Sequence, residues 1–145
     1  MAAFVLAAVD GSPESLAAAG WAADEAVRRG LRLRLVHAWP WPQHAAPGLP
    51  GVSEVRGRVV GVLADAAQRL RADHPGLEVD VALMDEHAPA GVVAAAASAE
   101  LVVLGRTGRH LGPVTRAVIR GVRCPVVVVP DGRRCAEGGT NAQNR

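Results

Sequence analysis

Apolar positions along the chain fall into five short runs, separated by segments in which apolar residues recur at helical spacing. The runs predict strands at 4–9, 31–38, 77–83, 101–104 and 125–129. The intervening segments predict helices at 13–30, at 53–73, from about 89, and at 113–122. Regular alternation of strand and helix indicates a parallel, doubly wound α/β domain with right-handed crossovers.

Local signals fix several of these boundaries. Ser12 is a favourable N-cap, Pro13 suits the first helical position, and Gly30 ends the first helix. Predicted packing positions are Leu16, Ala19, Ala23 and Ala26 in the first helix and Val59, Val60, Leu63, Ala66, Ala67 and Leu70 in the second. In the second strand Arg32 and Arg34 alternate with leucines, which predicts one apolar face and one face covered by arginine stems.

Length and composition predict one compact domain. The chain has 145 residues, of which 50% are hydrophobic, enough for a core without disulfides or metals. We predict a folded unit over 1–130 and a disordered polar tail over 131–145. The chain enters its first strand without a leader and has no apolar run of about 20 residues, so we expect a cytoplasmic protein without a membrane partner.

The charged and sulfur-containing residues exclude several functions. All sixteen basic residues are arginine, so the lysines of P-loop, protein-kinase and pyridoxal sites are absent. A formal charge of +2, without aromatic interleaving, argues against nucleic acid as a partner. Cys124 and Cys135 do not form a disulfide framework and are predicted to be reduced thiols.

Candidate chemistry lies where two strands end. Asp10 follows the first strand, and Gly105 and Gly108 follow the fourth within a turn that also carries Arg106 and Arg109. Open α/β sheets bind ligands where the strand order reverses. If the first and fourth strands flank that point, these residues face each other across one crevice. The alternatives are that the glycines only form a turn and that Asp10 only caps a helix.

Four segments in this order resemble the universal stress protein family: VDGS at 9–12, WAADEAVRRGLRLRLVHAW at 21–39, LVVLGRTGR at 101–109 and CPVVVVP at 124–130. The resemblance covers about Val5 to Pro130. It implies a five-stranded parallel sheet with helices on both faces, the fold also described as adenine-nucleotide alpha-hydrolase-like. It further implies a homodimer formed through the last strand, Pro125 to Val129, and, in one branch of the family, an ATP site.

That branch carries Gly, two residues, Gly, nine residues, Gly and then Ser or Thr. Gly105 and Gly108 match its first two glycines, and Gly112 opens a segment that resembles its last element. Only three residues separate Gly108 from Gly112, so six are missing, and Pro113 stands where a hydroxyl and an N–H are expected. The site that the basic turn and the resemblance together indicate, for ATP or another adenine nucleotide, comprises Asp10, Val36, Ala38, Gly105, Arg106, Gly108, Arg109, Gly112, Val114 and Thr115.

The sequence therefore favours a regulatory module that binds an adenine nucleotide as a homodimer. A nucleotide-free structural or partner-binding domain is one alternative, and a weak ATP hydrolase is another. For an enzyme the sequence offers no Ser-His-Asp or Cys-His arrangement and no paired carboxylates at the glycine turn. The acidic turn at 85–87 is typical of a solvated loop, so no intrinsic metal site is predicted.

Overall fold

The computed structural model describes residues 3–37, 52–82, 90–106 and 111–130, without the side chains of 52–56. Strands and helices alternate through these ranges as predicted. In chain order they are β1 (Phe4–Val9), α1 (Pro13–Arg29), β2 (Arg32–His37), α2 (Val52–Asp73), β3 (Val79–Ala82), α3 (Ala90–Ala96), β4 (Leu101–Arg106), α4 (Pro113–Gly121) and β5 (Val126–Pro130).

The five strands form one parallel sheet in the order β3-β2-β1-β4-β5. β1 is central and pairs with β2 on one side and with β4 on the other. The chain builds outward from β1 to β3 and then crosses to β4, so the winding direction reverses between β1 and β4. The predicted fold class is confirmed, and the two strands that carry the candidate residues are neighbours at the switch point.

Both faces of the sheet are covered by helices. Alternate residues of β1 contact opposite cores: Val5 and Ala7 pack with α1 and α2, whereas Phe4 and Leu6 pack with α3 and α4. All six residues of β1 are buried. A strand that is covered on both faces has a continuous run of apolar residues, and for this reason the bounds of β1 were predicted correctly.

Several strand bounds differ from the predictions. β2 is shorter because Leu31 N–H donates to Ala26 O and so closes the end of α1. β3 is shorter because Leu77 N–H donates to His74 O in the turn after α2. β4 is longer, since Gly105 and Arg106 pair with the end of β5 and are strand residues rather than loop residues. β5 begins and ends one residue later than predicted.

Two predicted packing positions are wrong. Leu16 and Val60 are 38% and 42% exposed, respectively. Leu16 lies on a cavity of about 330 Å³ between α1 and α2 rather than in the core. The predicted arginine stems of β2 are confirmed: Arg34 donates to Asp80 and lies over the Phe4 ring, 4.5 Å from its centroid.

Some predictions fall on residues outside the described ranges, namely the acidic turn at 85–87 and the tail at 131–145. Of the two cysteines, Cys124 is described and is a free thiol. Within the described ranges, no helix combines the length and apolarity needed to cross a bilayer.

A histidine links the two helices that cover one face of the sheet, and it makes stability dependent on pH. His74 Nε2 lies 2.7 Å from Asp24 Oδ1, and His74 Nδ1 lies 3.1 Å from Leu70 O. Both partners are hydrogen-bond acceptors, and a neutral imidazole has a single N–H. The two bonds can therefore exist together only when His74 is protonated. The hydrogen bond to Asp24 raises the pKa of His74 above its ordinary value, although burial acts in the opposite direction.

Because the folded-state pKa is raised, the stabilisation is complete below the ordinary histidine pKa and disappears as pH rises through the raised value. We expect the free energy of unfolding, measured with urea from about pH 5.5 to about pH 8.5, to fall across this window. The Asp24→Asn variant should flatten that dependence, and the exposed α2 variant Asp65→Asn should leave it unchanged. Equal slopes for all three proteins would contradict this assignment.

Candidate functional site

The end of β1 and the start of α1 form a hydrogen-bonded turn around Asp10. Asp10 Oδ1 accepts from Ser12 N–H at 2.9 Å and from Ser12 Oγ at 2.5 Å. Ser12 caps α1 by accepting from Ser15 N–H, and Ser15 Oγ accepts from Asp10 N–H. Gly11 has a φ of 87°, which an L side chain rarely adopts. The turn therefore holds the carboxylate in one orientation.

This network also sets the charge of Asp10. Desolvation of the half-buried carboxyl raises its pKa, but hydrogen bonds from Ser12 and Ser15 act in the opposite direction and leave the pKa below its ordinary value. Asp10 is therefore ionised at neutral pH. Both hydrogen bonds from Ser12 end on Oδ1.

Gly105 brings the end of β4 against this turn. A Cβ built on Gly105 would lie 2.6 Å from the backbone carbon of Glu14 and 2.9 Å from Ser15 N. These atoms belong to the first turn of α1, so only glycine allows the strand and the helix to approach this closely. The structure thus brings Gly105 to the same corner of the sheet as Asp10, as the sequence predicted, and gives this glycine a packing role.

Arg106, the last residue of β4, carries a further donor at this edge of the sheet. Its Nε is buried and has no hydrogen-bond partner among the described residues. A buried unpaired donor costs about 1–3 kcal/mol, so such groups often mark a position where a ligand or water completes the bond. The arginine fits a phosphate or another anionic acceptor.

The start of α4 lies on a groove of about 380 Å³. Gly112 is the N-cap, and no side chain caps this end of the helix. Pro113 occupies the first helical position and contributes no N–H, as predicted. The amides of Val114 and Thr115 have no partner inside the helix because they lie in its first turn. Arg116 N–H already bonds to Gly112 O.

Two predicted site residues lie in buried positions. Thr115 is 5% exposed and belongs to the face of α4 that packs toward the sheet. Val36 is fully buried in β2 between Ala8 and Ala82, so only the strand end next to it can meet a ligand. Of the predicted site, the structure therefore brings Gly105 next to the Asp10 turn, and it places Arg106 at the end of the same strand as Gly105. Ala38, Gly108 and Arg109 lie outside the described residues.

The prediction from sequence also missed one residue of this corner. Ser15 was not identified as a partner of Asp10, although its spacing of three residues from the N-cap Ser12 is a signal for such a turn. His37, the last residue of β2, is buried beside Val9. Among the described residues, no group of three or more His, Cys, Asp or Glu could hold a metal ion.

Sequence comparison identifies the family. The model described as "Universal stress protein family" matches residues 1–130. The chain belongs to the universal stress protein family. A universal stress protein of Mycobacterium tuberculosis is 36% identical over 132 residues, which cover 86% of this chain and 44% of that relative. A second one from the same organism is 31% identical over 139 residues, covering 86% and 47%. The chain thus spans about half the length of the curated relatives it matches.

Solved universal stress protein structures agree with the fold. One from Archaeoglobus fulgidus is 26% identical, with a TM-score of 0.70, and the match covers 89% of this chain and 93% of that one. A second A. fulgidus structure is 25% identical, with a TM-score of 0.69, covers 89% and 98%, and was determined in complex with dAMP. At least one protein similar to this chain therefore binds an adenine nucleotide.

Proposed function

We propose that this chain is a regulatory module that binds an adenine nucleotide at the carboxyl ends of β1 and β4. The observation that carries the proposal is the buried Nε of Arg106, which has no partner among the described residues and belongs to the last residue of β4, the strand next to β1. A buried donor without an acceptor and an ionised carboxylate, at the carboxyl ends of two neighbouring strands, suit a ligand that has both phosphate and hydroxyl groups. The dAMP complex of a protein 25% identical to this chain supports this ligand class.

Each residue has a distinct role in this proposal. Arg106 donates to a phosphate, and Asp10 Oδ2 accepts from a ribose hydroxyl or the adenine amine. The N–H groups of Val114 and Thr115, in the first turn of α4, donate to a phosphate in the α4 groove. Gly112 has no side chain and so allows the phosphate to approach the backbone closely. Val36 and Ala38 line the adenine side by resemblance to the family, and Gly108 and Arg109 complete the phosphate side in the same way.

Proline at position 113 weakens this site in a way that can be tested. It removes one N–H and one side-chain hydroxyl, and each charge-assisted hydrogen bond contributes about 1.5–3 kcal/mol. We expect the Pro113→Ser variant to bind ATP at least about tenfold more tightly than the unchanged protein by isothermal titration calorimetry. Pro75→Ser, in the exposed turn after α2, is the matched control and should leave the affinity unchanged.

Two calorimetric results would count against the proposal. No detectable heat with ATP, ADP or AMP, for both the unchanged protein and Pro113→Ser, would favour the nucleotide-free partner-binding domain. The burial of Thr115 and the loss of donors at Pro113 are the observations that favour that alternative. Hydrolysis is not proposed, because no side chain at the described corner is placed as a general base for water other than the hydrogen-bonded Asp10.

We further propose that β5 forms a homodimer. β5 is an edge strand whose partner within the chain is β4, and Val126, Val127 and Val128 are only partly buried. An apolar edge of this kind favours pairing with a second copy. Sedimentation velocity over a concentration series should give a dimer, which Val128→Asp should dissociate. Val81→Asp, on the opposite edge strand β3, should remain dimeric, and a monomer at every concentration would contradict the dimer.

A further inference from the structure

The last 30 residues of the folded unit carry positive charge without negative charge. Residues 101–130 contain five arginines and no Asp or Glu, although the remaining residues hold eleven arginines and fourteen carboxylates. The segment therefore contains no carboxylate that could pair with its own arginines. Any carboxylate that pairs with these arginines comes from elsewhere in the chain or from another molecule.

The arginines of α4 differ in this respect from those of α1 and β2. Arg28 and Arg29 both pair with Glu25, and Arg34 pairs with Asp80. By contrast, Arg116 and Arg120 are exposed and have no acceptor among the described residues. Arg123, just past the helix, is exposed and unpaired within the same ranges.

Helix electrostatics make this arrangement unfavourable for the isolated domain. The start of a helix carries partial positive charge, and acidic residues there are stabilising. α1 follows this rule, with Glu14 in its first turn and arginines in its last turn. α4 has no acidic residue in its first turn, and Arg116 follows directly after that turn. The N-terminal half of α4 is therefore left with an uncompensated positive charge.

The exposed residues also form one stripe. Arg116, Ile119 and Arg120 are spaced three and four residues apart and so share a face of α4, and Arg123 follows two residues after the helix end. Ile119 is 49% exposed between these cations. This stripe is complementary to a helix that carries one apolar residue between carboxylates. The apolar residues would pack together, and the carboxylates would pair with the arginines.

We propose that this stripe is a docking surface for an acidic, amphipathic helix of a protein partner. Carboxylates of that helix would pair with Arg116, Arg120 and Arg123, while its apolar residue packs on Ile119. A lipid surface is the weaker fit because the described stripe offers a single apolar residue for insertion. Nucleic acid is also weaker, because the stripe has no aromatic side chain for stacking. Arg116 and Arg120 also line the groove at the start of α4, but the docking proposal does not require that a nucleotide binds there.

The test uses a dye-labelled helical peptide in which glutamates flank a central leucine, and a control peptide in which glutamine replaces every glutamate. Fluorescence anisotropy should show saturable binding of the acidic peptide to the unchanged protein, weakened by added salt, and no binding of the glutamine peptide. The double variant Arg116→Gln, Arg120→Gln should bind at least about tenfold more weakly. Ile119→Ser should weaken binding by a smaller factor while preserving the salt dependence.

The matched control is Arg58→Gln with Arg69→Gln, which removes two exposed arginines of α2 that are unpaired among the described residues and changes the net charge equally. It should bind the peptide as the unchanged protein does. Equal losses in both double variants, equal binding of the glutamine peptide, or no binding of either peptide would overturn the proposal. Binding only to phosphatidylserine vesicles or to duplex DNA would also overturn it.

An ATP titration of the α4 double variant separates this surface from the nucleotide site. Loss of peptide binding with unchanged nucleotide affinity supports two surfaces. Loss of ATP affinity without loss of peptide binding would assign these arginines to the phosphate groove and overturn the docking surface. Failure of the unchanged protein to bind ATP, with peptide binding intact, would remove only the proposed function.

Discussion

Replacing Gly105 with alanine is expected to lower the free energy of unfolding by about 3 kcal/mol. The new Cβ would lie 2.6 Å from the backbone carbon of Glu14 and 2.9 Å from Ser15 N. Neither atom can rotate away as a side chain would, so β4 or the first turn of α1 must move. β4 is held between β1 and β5, and the first turn of α1 is held by the Asp10 network.

Urea and thermal unfolding measure this effect, and the midpoint temperature should fall by roughly 10 °C. Two further glycines are controls. At Gly121→Ala the nearest atoms belong to the Val93 side chain rather than to backbone, so its effect should be smaller. Gly61→Ala faces open space in α2 and should stabilise by about 0.5–1 kcal/mol. A Gly105→Ala protein as stable as Gly121→Ala would show that β4 and α1 do not meet as described.

The second large effect concerns Arg106. Arg106→Met retains most of the apolar stem and removes the guanidinium, whose Nε has no partner among the described residues. If that donor binds a nucleotide, affinity for ATP should fall by about ten- to a hundredfold, the equivalent of one charge-assisted hydrogen bond. The stability of the free protein should stay equal or rise, because a buried unpaired donor has been removed.

A loss of ATP affinity together with equal or higher stability of the free protein would identify Arg106 as a ligand contact rather than a structural residue. Arg69→Met, in the exposed part of α2, is the control and should change neither quantity. If Arg106→Met destabilises the free protein and leaves calorimetric affinity for ATP unchanged, the guanidinium supports the fold and does not bind the ligand. The nucleotide would then need another anion-binding group.

The fold could be predicted from sequence because buried parallel strands leave a clear signal. β1 is apolar at every position since both of its faces are covered, and Ser12, Pro13 and Gly30 define α1 by local geometry. Hydrophobic periodicity identifies the apolar face of a helix, but it does not show how much of that face a neighbouring element covers. Leu16 and Val60 were therefore placed in the core although both are exposed.

The candidate site was predicted less completely, because its geometry depends on distant parts of the chain. Gly105 and Arg106 become strand residues only by pairing with Val129 and Pro130, more than twenty positions later. Strand order cannot be read from alternation, so the approach of Asp10 and Gly105 was conditional until β1 and β4 proved to be neighbours. The unpaired Nε of Arg106 depends on burial from several elements and has no sequence signature.

An NMR titration of the isotopically labelled protein with ATP and AMP tests the central claim most directly. The account predicts saturable shifts of amide signals at the carboxyl ends of β1 and β4 and at the start of α4, including Ser12, Gly105, Arg106 and Val114. Amides in the cavity between α1 and α2, such as Ala66 and Arg69, should be unaffected. Shifts centred on that cavity, or none at saturating nucleotide, would contradict a nucleotide site at the switch point.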